Sequence, residues 1–318
     1  MQTPEADIPV DEQLVRVLLV DQHPDLAGEL RLVSNGWDNA VYRLGDELAV
    51  RIPRRNAAAH LIAHEQRWLP TLAPALPVPV PVPVRIGVPS DRFRWPWSVV
   101  RWVDGIDGAD VDASARTPLA APLGRFVAAL HVPAPLTPDG RVHPDVPFNP
   151  VRGVPLVSRD RVVRERLREL GRLWDITALG ELWDEALSAP LWQGPAIWLH
   201  GDLHPGNLLL DVAPDESVSL AAVLDFGDLT AGDPATDLAT AWLTFQAEAR
   251  AVFRAVVVDA SSPESGAADA ATWLRARGWA LNIGTALATS SDDNPRMHAL
   301  ATHTLSQLLR DAYDGTRA

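Results

Sequence analysis

The stretch Trp198-Leu199-His200-Gly201-Asp202-Leu203-His204-Pro205-Gly206-Asn207-Leu208-Leu209-Leu210 constrains this chain more than any other. The apolar runs at its two ends read as short buried strands, and between them lies a polar loop in which Asp202 precedes Asn207 by five positions. A second apolar run, Val223-Leu224, ends in Asp225-Phe226-Gly227, with Asp225 placed 23 residues after Asp202. That separation suits two strands joined by a polar turn, Asp211 to Ser217. Polar side chains held at the ends of buried strands are the usual setting for chemistry.

Composition removes several classes. At 318 residues the chain can build one large or two medium domains with real cores. It is 47% hydrophobic, yet no run is long and uncharged enough to cross a membrane. The start, Met1 to Asp7, is polar and acidic rather than a secretory signal, so a soluble cytoplasmic protein without a membrane partner is expected. The absence of cysteine excludes disulfides, thiolate metal sites and cysteine nucleophiles. A net charge of −13 argues against nucleic acid as a partner, because such binding needs a basic face. The chain has no lysine: all 28 basic residues are arginines, which excludes any mechanism that needs a lysine.

Along the chain, apolar spacing from Asp11 to Val33, broken near His23-Pro24, predicts two short helices. Ser34 to Asn39 is a turn-rich loop leading into a hairpin, Val41-Tyr42-Arg43-Leu44 and Leu48-Ala49-Val50-Arg51-Ile52. On the second strand Ala49 and Arg51 share one face, Val50 and Ile52 the other. A helix is expected over Asn56 to Leu72, carrying Glu65. Proline at alternate positions from Pro77 to Pro83 forces an extended connector unfit for the middle of a sheet. Trp97 to Gly105 reads as a strand entering a turn, followed by an acidic run of Asp104, Asp107, Asp110 and Asp112, which reads as a solvated loop. Further helices are expected over Pro118 to His131, over Arg159 to Trp174 with Ser158 as N-cap, over Leu179 to Leu187 and over Asp233 to Phe245. Three more follow, over Glu248 to Val258, Glu264 to Leu287 with a break near Gly278, and Pro295 to Tyr313.

The segments His200-Gly201-Asp202-Leu203-His204-Pro205-Gly206-Asn207, Leu224-Asp225-Phe226-Gly227-Asp228 and Gly232-Asp233-Pro234-Ala235-Thr236-Asp237-Leu238-Ala239 resemble the aminoglycoside phosphotransferase family, the small-molecule branch of the kinase-like fold. The likeness is specific from Trp198 to Ala239 and weaker from Gly36 to Gly105. It implies an α+β, two-lobe protein-kinase-like fold: a small β-rich N-terminal lobe, residues 1–103, that binds nucleotide, and a larger, mainly helical C-terminal lobe, residues 104–318, that carries catalysis and substrate binding. It implies Mg2+, ATP or GTP as phosphate donor, and a hydroxylated small molecule as acceptor, an aminoglycoside or other antibiotic, or a sugar or amino alcohol metabolite. Asp202 maps to the catalytic base, Asn207 and Asp225 to metal ligands, Ala49 to the floor of the adenine site, and Arg101, Trp102 and Val103 to the hinge whose backbone meets adenine. Glu65 maps to the helix glutamate that pairs with the phosphate-binding cation, Asp237 to the brace of the catalytic loop, and His200 to a structural ring bonded to backbone. The departure is Arg51, an always-charged planar fork where the family places lysine.

These residue types suit phosphoryl transfer on chemical grounds as well. Charge on the moving phosphoryl oxygens calls for positioning and cations, hard magnesium takes oxygen donors, and a carboxylate beside the acceptor hydroxyl removes its proton. Two other readings compete: a nucleotide-binding module with weak catalysis, suggested by Arg51, and a metallohydrolase, suggested by the alternation of His200, Asp202 and His204. Arginines from Arg159 to Arg172 bring positive charge toward the expected acceptor region.

Overall fold

The computed structural model describes residues 5–26, 28–261, 269–291 and 293–313. The chain opens with helix α1 (Glu12–Gln22), whose first turn is capped by the Asp11 carboxylate accepting from the Leu14 N–H at 2.8 Å. Strands β1 (Leu30–Asn35), β2 (Asn39–Leu44) and β3 (Leu48–Pro53), helix α2 (Asn56–Leu72), and strands β4 (Pro83–Gly87) and β5 (Trp97–Arg101) follow. The strands form one antiparallel sheet in the order β1-β2-β3-β5-β4. Alternation on β3 splits its side chains: Val50 and Ile52 join the core beneath α1 with Val15, Leu18, Trp97 and Val99, while Arg51 reaches Glu65 on α2.

The rest comprises β6 (Ile106–Asp107), α3 (Ala120–Leu130), α4 (Asp160–Leu170), α5 (Ile176–Ser188), β7 (Ile197–Leu199), β8 (Leu208–Val212), β9 (Val218–Val223) and β10 (Thr230–Gly232). Helices α6 (Ala235–Leu238), α7 (Thr240–Thr244), α8 (Ala247–Ala260), α9 (Ala270–Ser290) and α10 (Pro295–Tyr313) complete it. Two small sheets, β6-β8-β9 and β10-β7, sit on a helical core that includes Phe126, Trp183, Phe253, Trp273 and Trp279. This is the expected α+β arrangement, a small sheet-rich part followed by a larger helical one. Among the described residues no helix is long and apolar enough to cross a membrane.

Several local expectations are corrected. The second helix expected before Val33 is instead β1, an edge strand with only Leu30 buried; five exposed residues leave no period-two signal, and pairing with β2 decides the conformation. Ser158 caps nothing: Leu156–Arg159 is a 3₁₀ turn that runs straight into α4, and that helix ends at Leu170, short of Trp174. The helix expected over Asp233 to Phe245 is two short ones. Gly278 does not break α9. A Cβ there would lie 2.5 Å from a Leu156 methyl and 2.7 Å from the Ala186 Cβ, so glycine lets α9 pack closely on its neighbours. The expected start of that helix at Glu264 lies outside the described residues. The proline-rich connector is extended as expected, and its Pro79 carbonyl accepts from the Val223 N–H at 3.0 Å, tying it to the end of β9.

Candidate active site

Strand β7 pairs with β10 and delivers the loop from His200 to Asn207, which β8 then carries away. The loop is held from below by Asp237, fully buried on α6, whose carboxylate accepts from the N–H of His200 (2.7 Å) and of Gly201 (2.9 Å) and lies 3.2 Å from His131 Nε2. Gly201 is required there: its φ is +87°, and a Cβ would fall 2.2 Å from the Asp228 carbonyl oxygen. His200 Nδ1 accepts from the Asp202 N–H at 3.2 Å, so Nε2 carries the proton and donates to the Leu224 carbonyl at 2.9 Å. Both ring nitrogens are thereby spent on backbone. The alternation of His200, Asp202 and His204 makes no common face, because β7 ends at Leu199; among the described residues no group of three or more acidic or histidine side chains could hold a metal ion.

The Asp202 carboxylate, about a third exposed (31%), is gripped from several sides. Arg152 Nη2 donates to Oδ1 at 3.2 Å, and His204 Nε2 lies 3.3 Å from Oδ2. Burial acts to raise this carboxyl, but His204 and Arg152 outweigh it and hold it well below the usual carboxylate range. Asn207 is buried, and its Nδ2 donates to the Asp202 carbonyl at 2.7 Å, which leaves the amide oxygen for another ligand.

The backbone joins this loop to the second aspartate, since the Leu224 N–H donates to the Asn207 carbonyl at 2.8 Å. Asp225 takes a left-handed conformation, φ 59°, and its side chain is 56% exposed. Asp225 Oδ1 lies 3.8 Å from Arg51 Nη2, and Arg51 Nη1 donates to Glu65 Oε2 at 2.6 Å. Both members of the Arg51–Glu65 pair are buried. Burial pushes the Glu65 carboxyl up to about 6, Asp225 adds to the rise and Arg51 opposes it. Asp202, Asn207, Asp225, Arg51 and Glu65 are thus linked contact by contact across the junction of the two parts. The donors fit a hard cation. An exposed carboxylate and an amide oxygen not used in the Asn207–Asp202 hydrogen bond could supply two oxygen ligands, and phosphate and water can fill the rest.

Ala49 is buried on the Arg51 face of β3. At the end of β5, the Trp102 N–H donates to the Glu47 carbonyl at 2.7 Å, opposite a non-hydrogen-bonded Leu48–Arg101 pair. The main-chain groups of Arg101 therefore turn away from β3, and Trp102 has no N–H to offer a nucleotide. Its indole donates to Asp104 at 2.6 Å and stacks under Arg43 at 4.8 Å. Val103 is half-buried beside it.

Arg152 is the residue that sequence reasoning missed. It lies in the irregular, proline-rich segment before α4, and its place depends on the contact of Gly153 with Gly232, where a Cβ on either would clash with the other's backbone or nearby side chains. Only the Arg-Gly pair itself marks it in sequence, and that signal is too common to select it.

An N-terminal antiparallel sheet joined to a helical part, with the aspartate–asparagine loop and the Asp-Phe-Gly turn at their junction, defines a phosphotransferase of the kinase-like fold. The sequence matches the model of the phosphotransferase enzyme family (APH) over residues 29–279, and the chain belongs to that family. It is accordingly a kinase-type enzyme with an alcohol group as acceptor. Solved structures share the fold. The GDP complex of wild-type aminoglycoside 2'-phosphotransferase-IIIa is 18% identical, with TM-score 0.63, covering 96% of this chain and 100% of that one. The macrolide 2'-phosphotransferase MphH from Brachybacterium faecium, an apoenzyme, is 24% identical, with TM-score 0.56 and coverage of 93% and 98%. The streptomycin-ATP-APH(2″)-IIa ternary complex is 17% identical, with TM-score 0.54 and coverage of 96% and 99%. No curated protein matches the sequence.

Proposed function

We propose that this enzyme moves the γ-phosphate of ATP or GTP to a hydroxyl of a small molecule, with residues 1–103 binding the nucleotide and residues 104–318 supplying the base and the acceptor site. The observation that carries this reading is the linked set of Asp202, Asn207, Asp225 and the Arg51–Glu65 pair. Structures of the same fold contain GDP in one case and ATP with streptomycin in another, which supports a nucleoside triphosphate as donor.

In this reading adenine or guanine lies over Ala49 and meets the backbone of Arg101 and Val103, and Trp102 braces the hinge from outside. Arg51, oriented by Glu65, grips phosphate oxygens. Asn207 and Asp225 would hold magnesium, which when bound neutralises charge on the phosphates. Asp202 receives the proton of the acceptor hydroxyl. The acceptor oxygen bonds to the γ-phosphorus, the bond from that phosphorus to the bridging oxygen breaks, and the nucleoside diphosphate leaves with the electron pair. The depressed pKa of Asp202 keeps the carboxylate ionised, so it acts chiefly by orienting the hydroxyl and taking its proton as the phosphorus–oxygen bond forms. Nucleotide and magnesium are supplied in the cytoplasm, where we place the enzyme.

An ATP-consumption screen across hydroxylated antibiotics, sugars and amino alcohols tests the reading, with Asp202→Asn as control. The substitution is expected to abolish transfer while magnesium–nucleotide binding persists; undiminished turnover would remove Asp202 as base.

A further inference from the structure

The turn between β1 and β2 lies at one end of the cleft. Residues paired across β2 and β3 share a face, so Asn39 opposite Pro53 and Val41 opposite Arg51 stand on the side where Arg51 reaches Glu65 and Asp225, whereas Ala40 and Tyr42 enter the core beneath α1. Along β3 this face runs Ala49, Arg51, Pro53. A nucleotide whose base lies on Ala49 and whose phosphates meet Arg51 therefore points its last phosphate toward the turn of Gly36, Trp37 and Asp38, which begins two residues further on, about 7 Å at strand spacing.

The three successive carbonyls of that turn are taken by two arginines just past β3. Arg54 Nη1 donates to the Gly36 carbonyl at 2.5 Å, and the Arg54 N–H donates to the Asp38 carbonyl at 2.8 Å. Arg55 Nε donates to the Trp37 carbonyl at 3.2 Å, its Nη2 donates to Asp38 Oδ1 at 2.5 Å, and its guanidinium lies over the Trp37 ring at 5.7 Å. The arginines are anchored in turn: the Asp7 N–H donates to the Arg54 carbonyl at 3.0 Å, and the Asp7 carboxylate accepts from the Asn56 N–H at 2.7 Å. Arg54 is buried.

The amides of the turn are in the opposite state. The Gly36 N–H closes the turn on the Asn39 carbonyl at 3.0 Å, but among the described residues nothing accepts from the N–H of Trp37 or of Asp38. With its carbonyls spent and two successive amides free, the turn can bind an anion and has little to offer a cation. The Asp38 carboxylate would repel an anion there, and its ion pair with Arg55 neutralises that charge.

We propose that Arg54 and Arg55 are positioning residues for the phosphate donor: they hold the turn by its carbonyls so that the N–H groups of Trp37 and Asp38 bind oxygens of the terminal phosphate. This rests on the phosphotransferase reading and deepens it. A turn with a single glycine takes its fixed shape from the two arginines.

The test is calorimetric titration of the full-length protein, with Mg2+, against the non-hydrolysable analogue of ATP or of GTP, whichever binds tighter, and against the matching nucleoside. The wild type should bind the analogue more tightly than the nucleoside. Arg54→Met and Arg55→Met should each weaken the analogue about tenfold or more, the scale of a lost charge-assisted hydrogen bond, and move the nucleoside by less than about twofold. Arg55→Lys keeps a cation beside Asp38 and should recover part of the loss, while Arg16→Ala, exposed on α1 and paired with Glu12, should change neither ligand. Hydrogen exchange of wild-type peptides covering residues 36–39 is a second readout, which holds even where Arg54→Met does not fold: the analogue should slow exchange there and the nucleoside should not. Variants that weaken both ligands equally, variants that change neither, or exchange that the analogue leaves unslowed would each overturn the assignment. A wild type that binds the analogue no better than the nucleoside sinks the phosphotransferase reading itself, whereas a preference that survives both substitutions sinks the role of the arginines alone.

Discussion

Replacing Arg51 with methionine isolates the buried ion pair at the centre of the site. In the folded protein Glu65 titrates at about 6 against 4.5 for the unfolded chain. A folded pKa above the unfolded one means that stability is full below about pH 4.5 and declines as pH rises to about 6. At about 1.36 kcal/mol per unit, the loss is about 2 kcal/mol, after which the curve flattens. Arg51 is the main force holding the carboxyl down against burial. With Arg51→Met that force is gone, the Glu65 pKa climbs further, and stability goes on falling above pH 6 by about 1.4 kcal/mol per unit. The gap between wild type and variant should therefore widen by up to about 3 kcal/mol between pH 6 and 8, and shrink at pH 5 to the pH-independent change in packing. Urea unfolding at pH 5, 6, 7 and 8 measures it. Wild-type and variant curves that run parallel from pH 6 to 8 would refute the reasoning, because they would show that Arg51 does not keep Glu65 ionised.

Asp237→Asn keeps the shape of the brace but removes its charge and leaves a backbone N–H of His200 or Gly201 facing an amide donor; a loss of about 2–4 kcal/mol is expected by denaturant titration, with a fall in turnover from the displaced loop. Gly201→Ala drives a Cβ to 2.2 Å from the Asp228 carbonyl oxygen at a φ of +87° and should cost about 2 kcal/mol or more. Gly180→Ala, inside α5 with nothing within 4 Å of the new Cβ, should gain up to about 1 kcal/mol in the same assay, and serves as its control.

Legibility followed sequence distance. Helices α2 and α10 have the bounds expected from their apolar periodicity, because a long amphipathic helix writes its face into consecutive residues. Strand β1 was invisible because four-residue spacing of Leu26 and Leu30 imitates a helix, and pairing with β2 overrides it. The cap expected at Ser158 failed because a 3₁₀ turn already feeds the helix there.

What the sequence determined alone is the chemistry within single loops: an aspartate and an asparagine five apart between buried strands, an Asp-Phe-Gly turn, and the family to which they belong. Such units are local, so the residues that act together are neighbours in the chain. Tertiary structure decided which groups meet across the chain. Arg152 meets Asp202 from 50 positions away, and Arg166 meets Asn282 from 116. The acidic run from Asp104 to Asp110 is neutralised partly by Arg296, far along the chain. Net charge sums over the whole surface, whereas a ligand feels only the few groups within a Debye length, and those are chosen by packing.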